Sequence, residues 1–367
     1  MKSKKICNIY NYPSHYRKSI YKLLDAEYEC TFVFGDEKSD IKTLDLKELK
    51  DASFYHVVNS GHFLFTNGIL KYLFKNYDYY ILTIATNNLT HWLFFLLAKL
   101  FRKKKVYVWG HGMYGFESKM QMLVRRSYFA LTDGILVYGD YAKRIMIKAG
   151  FKENNIIPIH NSLAYDEQLR IRKTLEKTDI YSSHFVNTNP TLIFIGRLTK
   201  VKKLDQLVDA VSLLLSQGEE YNVVFVGDGE EKDNIKNLCH EKGLDNNIWF
   251  YGSCYDEQTN ASLIYNADLC VSPGNVGLTS IHCFSFGTPV ITHNNFCHQM
   301  PEFEVINEGQ TGGFFEMDNV ESLAQAISKW FIMNNGKRDE VRNKCYKEID
   351  SAWNPYYQIE VFRKLLN

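Results

Sequence analysis

Short apolar runs alternate with longer amphipathic stretches along the whole chain. The runs predict strands over Lys5–Tyr10, Cys30–Phe34, Tyr79–Ile84, Lys105–Trp109, Ile135–Tyr138 and Ile156–Ile159. A second set follows at Thr191–Ile195, Asn222–Val226, Ile248–Tyr251, Leu269–Ser272, Pro289–Thr292 and Gly313–Phe315. Gly, Pro, Asn or Asp bounds each run, and the segments between carry helical spacing, as in Leu204, Leu207, Val208, Val211 and Leu215. Apolar strands alternating with helices mean parallel sheets covered on both faces. The expected fold class is therefore α/β, with two Rossmann-like domains. The polar stretch 166–190 lacks strand or core patterning and reads as a linker between domains at 1–165 and 191–350. Aromatic-rich 351–367 reads as a closing helix that packs back toward the first domain.

Composition narrows the partners. Of 367 residues, 45% are hydrophobic, enough for large cores, and 43 Lys and Arg balance 42 Asp and Glu, which excludes a general nucleic-acid binder. The balance hides an asymmetry: the first 180 residues are net basic and the remainder net acidic. The eight cysteines include no Cys-x-x-Cys pair, so neither a zinc knuckle nor a disulfide framework is expected, and a reducing compartment fits. The basic start is followed by an apolar run interrupted by Asn8, too short and polar for a signal peptide. The expected location is the cytoplasm, at the inner face of the membrane.

Two stretches of the second half carry candidate chemistry. In the first, the strand Thr191–Ile195 ends in Gly196, and the fixed cation Arg197 follows, with Lys202 and Lys203 five and six residues later. Such cations at the mouth of a parallel sheet would face the crevice where these folds bind ligands, and could neutralise a diphosphate. A solvated basic turn is the alternative. In the second, the strand Leu269–Ser272 runs into Pro273-Gly274-Asn275-Val276-Gly277-Leu278, then a helix capped near Thr279 or Ser280. A helix N-terminus presents free N–H groups and a positive dipole end to an anion.

Together these stretches resemble the C-terminal domain of family 4 (group 1) glycosyltransferases, retaining nucleotide-sugar-dependent enzymes of the GT-B fold found in bacterial polysaccharide biosynthesis. Val223–Glu230, Ile248–Gly252, Ile264–Asp268 and Glu304–Gly312 resemble the same family in the same order. The resemblance implies two Rossmann-like domains facing across a cleft, an N-terminal one for the acceptor and a C-terminal one for the donor. It implies a hexosyl- or deoxyhexosyltransferase that moves sugar from a nucleoside diphosphate to a glycan or lipid-linked acceptor. Gly196, Arg197 and Lys202 match the diphosphate-binding positions, Lys202 fitting the register better than Lys203. Asn275, Val276, Gly277, Leu278 and Thr279 match the donors around sugar and diphosphate, Gly252, Ser253 and Cys254 the nucleobase contacts, and Glu304 a Glu near the sugar, for which Glu302 is a substitute.

The family's loop carries two glutamates, one toward the donor sugar and one toward the ribose. Gly274 and His282 stand at those positions here. His282 could accept a hydroxyl hydrogen bond, face a phosphate, or be a core histidine. A non-catalytic relative or a GT-B epimerase remains the alternative function. With no Asp-x-Asp in the chain, neither a metal nor a further cofactor is expected.

In the first half, Gly110-His111-Gly112-Met113-Tyr114-Gly115 follows a strand. It reads as a dinucleotide fingerprint without its acidic partner, as a turn histidine, or, through the resemblance, as His111 over the donor sugar. Ser14, His15, Tyr16 and Arg17 lie in the first strand–helix loop, either as acceptor contacts or as a helix start with Ser14 as its cap. Residues 91–105 turn from apolar to strongly basic, too short to span a bilayer. They form either a buried helix or a patch for peripheral contact with anionic membrane.

Overall fold

The computed structural model describes residues 4–36, 42–101 and 104–366. The chain divides into two compact units, Met1–Ala164 with Asn354–Asn367, and Tyr165–Trp353.

The first unit contains, in chain order, β1 (Lys5–Tyr10), α1 (Lys18–Glu27), β2 (Glu29–Gly35), β3 (Ala52–Tyr55), β4 (Val57–Ser60) and β5 (Phe63–Thr66). Then come β6 (Tyr79–Thr83), α2 (Leu89–Leu100), β7 (Lys105–Gly110), α3 (Lys119–Phe129), β8 (Gly134–Val137), α4 (Asp140–Lys148) and β9 (Ile156–Pro158). Seven strands form one sheet in the order β3-β2-β1-β6-β7-β8-β9, every pair parallel. The period of two along β1 explains its burial on both faces. Cys7 and Ile9 join the core under α2, α3 and α4, whereas Ile6 and Tyr10 join a second core under α1.

The second unit begins with α5 (Tyr165–Arg172) and α6 (Ile180–Phe185), then β10 (Thr191–Ile195), α7 (Leu204–Ser216), β11 (Asn222–Val226), α8 (Lys232–Glu241) and β12 (Ile248–Gly252). It continues through α9 (Glu257–Asn266), β13 (Leu269–Ser272), α10 (Leu278–Ser285), β14 (Val290–His293), β15 (Gly312–Phe315), α11 (Val320–Met333) and α12 (Arg338–Ala352). Its sheet runs β12-β11-β10-β13-β14-β15, again parallel throughout. Both halves are Rossmann-like. In each sheet the order reverses beside the first strand: β1 lies between β2 and β6, and β10 between β11 and β13. Ligands of open parallel sheets bind beyond the strand C-termini at such a reversal.

Two segments differ from their sequence reading. Residues 166–190 hold α5 and α6, both fastened to the second unit. Gln168 donates to Glu257 (2.8 Å) and the Tyr181 hydroxyl to the Leu263 carbonyl (2.6 Å). The segment is polar because its helices lie on the surface, each offering one buried side chain, Gln168 or Tyr181. Residues 351–367 are not one helix: α12 runs to Ala352 and α13 (Pro355–Leu366) starts afresh at a proline. α13 joins the first unit, burying Ile359, Phe362 and Leu366 in the core under α1. Gln358 secures its start by donating to the His160 carbonyl (3.0 Å) and accepting from Ser162 (2.7 Å).

Candidate active site

The second unit's site is assembled by close backbone approach. Gly196 ends β10 at φ 148°, a conformation that favours glycine. The turn Lys200–Lys202 follows, and Gly274 N donates to the Lys202 carbonyl (3.0 Å). A Cβ at Gly274 would lie 2.0 Å from the Val201 oxygen and 2.8 Å from the Lys202 Cα. Glutamate therefore cannot occupy this position without pushing the two loops apart, which gives the glycine a packing reason.

That contact delivers Lys202 to the next residue. Its Nζ donates to the Asn275 carbonyl (2.6 Å) and Oδ1 (2.8 Å), and its third N–H has no protein acceptor among the described residues. Burial, then the Arg197 charge, pulls the ammonium down to about 8, against an opposing pull from Glu302. Arg197 itself is exposed and Glu302 buried. Glu304 is half-buried on the same short turn, Pro301–Val305.

Helix α10 opens at Gly277 (φ 53°, ψ −148°), with no side-chain cap and no acidic residue in its first turn. Thr279 and Ser280, the expected caps, are turned elsewhere. Thr279 donates to the Ile195 carbonyl (3.0 Å) and Ser280 to the carbonyls of Gly277 and Glu302. The Thr279 bond ties the helix start to the end of β10, beside Gly196. The Val276 N–H is held by Gln299 (2.9 Å), so that amide is unavailable to a ligand; Leu278, next along, opens the helix. Arg197, Lys202 and an uncapped helix start thus converge on the C-terminal edge of the sheet where its order reverses. Such an arrangement stabilises a polyanion.

His282, one turn further into α10, is neither a free acceptor nor a sealed core residue. Its Nε2 lies 3.1 Å from Glu257 Oε1, at the start of α9. Burial would raise the Glu257 carboxyl, but His282 and hydrogen bonds from His282, Gln168 and Asn260 hold it below its ordinary value. With Nε2 on a carboxylate, the ring donates there and cannot also accept a hydroxyl through that nitrogen. Glu257 follows closely on Gly252, Ser253 and Cys254, which close β12: Gly252 is at φ 91°, Ser253 is exposed, and the Cys254 carbonyl accepts from Asn260 (3.3 Å). Sequence reasoning missed this carboxylate, since α9 and α10 meet only in three dimensions. Its signal was His282 itself, a histidine where an acid was expected.

In the first unit, His111 follows β7 and is half-buried, and its Nδ1 has no partner among the described residues. Burial, then the charges of Arg17 and Arg125, lowers the ring to about 4, so it is neutral at physiological pH. The dinucleotide reading of this loop fails on occupancy. Glu117 accepts from the Tyr114 and Gly115 amides (2.7 and 2.8 Å), placing a carboxylate where a pyrophosphate would need free N–H groups. Ser14 makes no capping hydrogen bond, His15 and Tyr16 are half-buried, and Arg17 is 2% exposed. α2 buries His91, Phe94, Phe95 and Ala98 and exposes Leu89, Leu93, Leu96 and Leu100. Arg102 and Lys103 of that expected patch lie outside the described residues. No helix among the described residues is long and apolar enough to cross a membrane.

Residues 176–349 match the family of glycosyl transferases, group 1. Among curated relatives, an uncharacterized glycosyltransferase of Haemophilus influenzae is 26% identical over 250 residues, covering 66% of this chain and 64% of that protein. The poly(glycerol-phosphate) alpha-glucosyltransferase of Bacillus subtilis is 28% identical over 168 residues, 45% of this chain and 24% of that one. The chain therefore spans less than two thirds of the length of these relatives. Among solved structures, Anabaena Alr3699/HepE in complex with UDP superposes with a TM-score of 0.73 at 15% identity over 99% of both chains. The lipopolysaccharide outer core galactosyltransferase WaaB, apo form, gives 0.72 at 14% identity over 99% of both. At such identities the likeness establishes the GT-B fold.

Proposed function

We propose that this protein transfers a hexosyl or deoxyhexosyl group from a nucleoside diphosphate sugar to a glycan or lipid-linked saccharide, with retention of anomeric configuration. The observation that carries the reading is the contact of Gly274 with the Lys200–Lys202 turn, which gathers Lys202, Arg197 and the start of α10 at one edge. In this reading the departing diphosphate accumulates negative charge beside a guanidinium, an ammonium and oriented amides. Preorganised charge of this kind lowers a barrier by several kcal/mol and does the work a metal does in other transferases. Glu304 and the amides of Asn275, Gly277, Leu278 and Thr279 would hold the donor sugar, Gly252, Ser253 and Cys254 the base, and neutral His111 a sugar hydroxyl, while the Val276 amide stays with Gln299.

UDP is the first nucleotide to try, since Alr3699/HepE binds it. A thermal-shift panel of UDP, GDP, ADP and CMP, followed by the matching sugars, tests the donor. Stabilisation of the wild type by one diphosphate and its loss in Arg197→Ala is the expected result. Equal stabilisation of both proteins, or of neither, would overturn the donor site. Product analysis by NMR reads the anomeric configuration, and an inverted linkage refutes retention.

Membrane contact is part of the same proposal, for an acceptor carried on lipid in surface polysaccharide synthesis. Its support is the exposed leucine row of α2 beside the exposed Phe63 and Phe65 of β5, with Lys99 on the same helix. Apolar side chains rimmed by cations suit an anionic interface. Flotation with phosphatidylglycerol vesicles at low salt checks it; protein left at the bottom of the gradient rules it out.

A further inference from the structure

The first unit holds a buried positive charge that no carboxylate pairs with among the described residues. Arg17, which precedes the first residue of α1, is 2% exposed. Its guanidinium lies over the rings of Tyr10 and Trp109 (both 4.6 Å from the ring centre), Tyr138 (5.0 Å) and Tyr16 (5.6 Å). One Nη donates to the Tyr138 hydroxyl, Nε reaches the Tyr16 hydroxyl at 3.4 Å, and the other Nη has no acceptor among the described residues. Tyr10 and Tyr138 hydrogen-bond each other, and burial pushes both hydroxyls up, so neither neutralises the guanidinium. Ring faces attract a cation but do not cancel its charge. A buried ion without a counter-ion is strongly disfavoured unless something repays its lost hydration.

Three further facts point toward an anion. The first turn of α1 carries no acidic residue and no side-chain cap, so the positive end of that helix adds to the Arg17 field. The cation stands beyond the C-terminal ends of β1, β7 and β8, next to the order reversal of the sheet. Half-buried His111 packs edge-on against Tyr138 (5.0 Å), and its buried Nδ1 has no partner among the described residues. Tyr16 and His111 flank the guanidinium as groups that solvent still reaches.

We propose that Arg17 is the floor of an oxyanion site in the first unit, taking a phosphate or carboxylate group carried by the acceptor. Planar guanidinium forks match both oxyanions, and the aromatic walls exclude a hydrated metal ion. Assigning the group to the acceptor rests on the sugar-transfer reading; the existence of the site does not.

The test uses the full chain with donor-side cations removed (Arg197→Ala with Lys202→Met) and inorganic phosphate as the probe. Calorimetry at constant ionic strength should show one phosphate site there, weakened at least tenfold by adding Arg17→Met. Arg17→Lys keeps the charge but not the fork and should fall between, which guards against loss of fold, itself checked by circular dichroism. Phosphate bound equally with and without Arg17, or not bound once Arg197 and Lys202 are gone, overturns the site. Displacement of phosphate by glucose 6-phosphate or glucuronate, and not by glucose, supports the acceptor as the source. Displacement by UDP alone overturns that assignment. Because none of these readings uses turnover, failure here and failure of the proposed activity are told apart.

Discussion

Replacing Lys202 by Met should separate stability from binding. Burial and Arg197 together bring this ammonium from an ordinary 10.5 to about 8, which corresponds to about 3 kcal/mol withheld from the folded state at neutral pH. The two hydrogen bonds to Asn275 return ~1 kcal/mol each. A methionine of similar length loses both effects, so the nucleotide-free variant should gain about 1 kcal/mol, or about 2–4 °C in melting temperature for a unit of this size. Nucleoside diphosphate affinity should meanwhile fall about 10–100-fold, the worth of one charge-assisted hydrogen bond. The pH signature has a definite sign. Between about 8 and 10.5 the unfolded chain holds a proton on Lys202 that the folded chain has released, so wild-type stability rises with pH there. The variant lacks that rise. Diphosphate affinity of the wild type should drop above about pH 8, as the ammonium is lost. Differential scanning fluorimetry across pH, with and without UDP, reads all three. A variant that melts lower without ligand yet binds UDP like the wild type would refute the electrostatic reasoning.

Three further outcomes are expected. Glu257→Gln should reduce discrimination between UDP and 2′-deoxy-UDP several-fold in calorimetry, because the Glu257–His282 pair joins α9, just after the Gly252–Cys254 loop, to α10, and under the proposed function the ribose would lie there; unchanged discrimination removes Glu257 from ribose recognition. Gly274→Ala should destabilise the second unit by about 2 kcal/mol or more in urea melts, since its methyl would meet the Val201 carbonyl at 2.0 Å; wild-type stability would mean the two loops are not held in register. Acid should unfold the first unit early. His91 and His111 are held neutral chiefly by burial, at about 3 and about 4, so stability should fall below about pH 6.5 by about 1.4 kcal/mol per pH unit for each; His91→Phe should flatten that slope, and an unchanged slope contradicts the assignment.

Much of the fold was legible because the two large sheets are parallel and buried on two faces, so their strands appear as nearly unbroken apolar runs. Every run expected as a strand is one, within a residue or two at its ends. The strands that escaped notice, β3, β4 and β5, are short and partly exposed, with Phe54, Val58, Phe63 and Phe65 facing outward. Their pattern does not distinguish them from loop. The candidate site was legible where a backbone constraint fixes a residue type, as at Gly196, Gly274 and Gly277. Glu257 was not, because a contact between two helices leaves no spacing to read. Arg17 was visible as a loop cation; its burial among four rings depends on Tyr10, Trp109 and Tyr138 from three separate strand ends. Helices α5 and α6 read as linker in the sequence because two buried side chains in 25 residues leave almost no periodic trace.

The return of α13 makes the first unit discontinuous in the gene. Its Phe362 meets Trp109 at 5.6 Å, and Arg363 clasps Glu27 through three bonds. During synthesis, all of the second unit emerges from the ribosome before the helix that covers the first unit's sheet does. The earlier-made half must wait, one apolar face covered by α1 alone, while the later-made half can already close. Nascent chains stalled before residue 354 should accordingly be bound by chaperones through their N-terminal part, and a fragment ending at residue 164 should be insoluble unless a peptide of residues 354–366 is supplied alongside it.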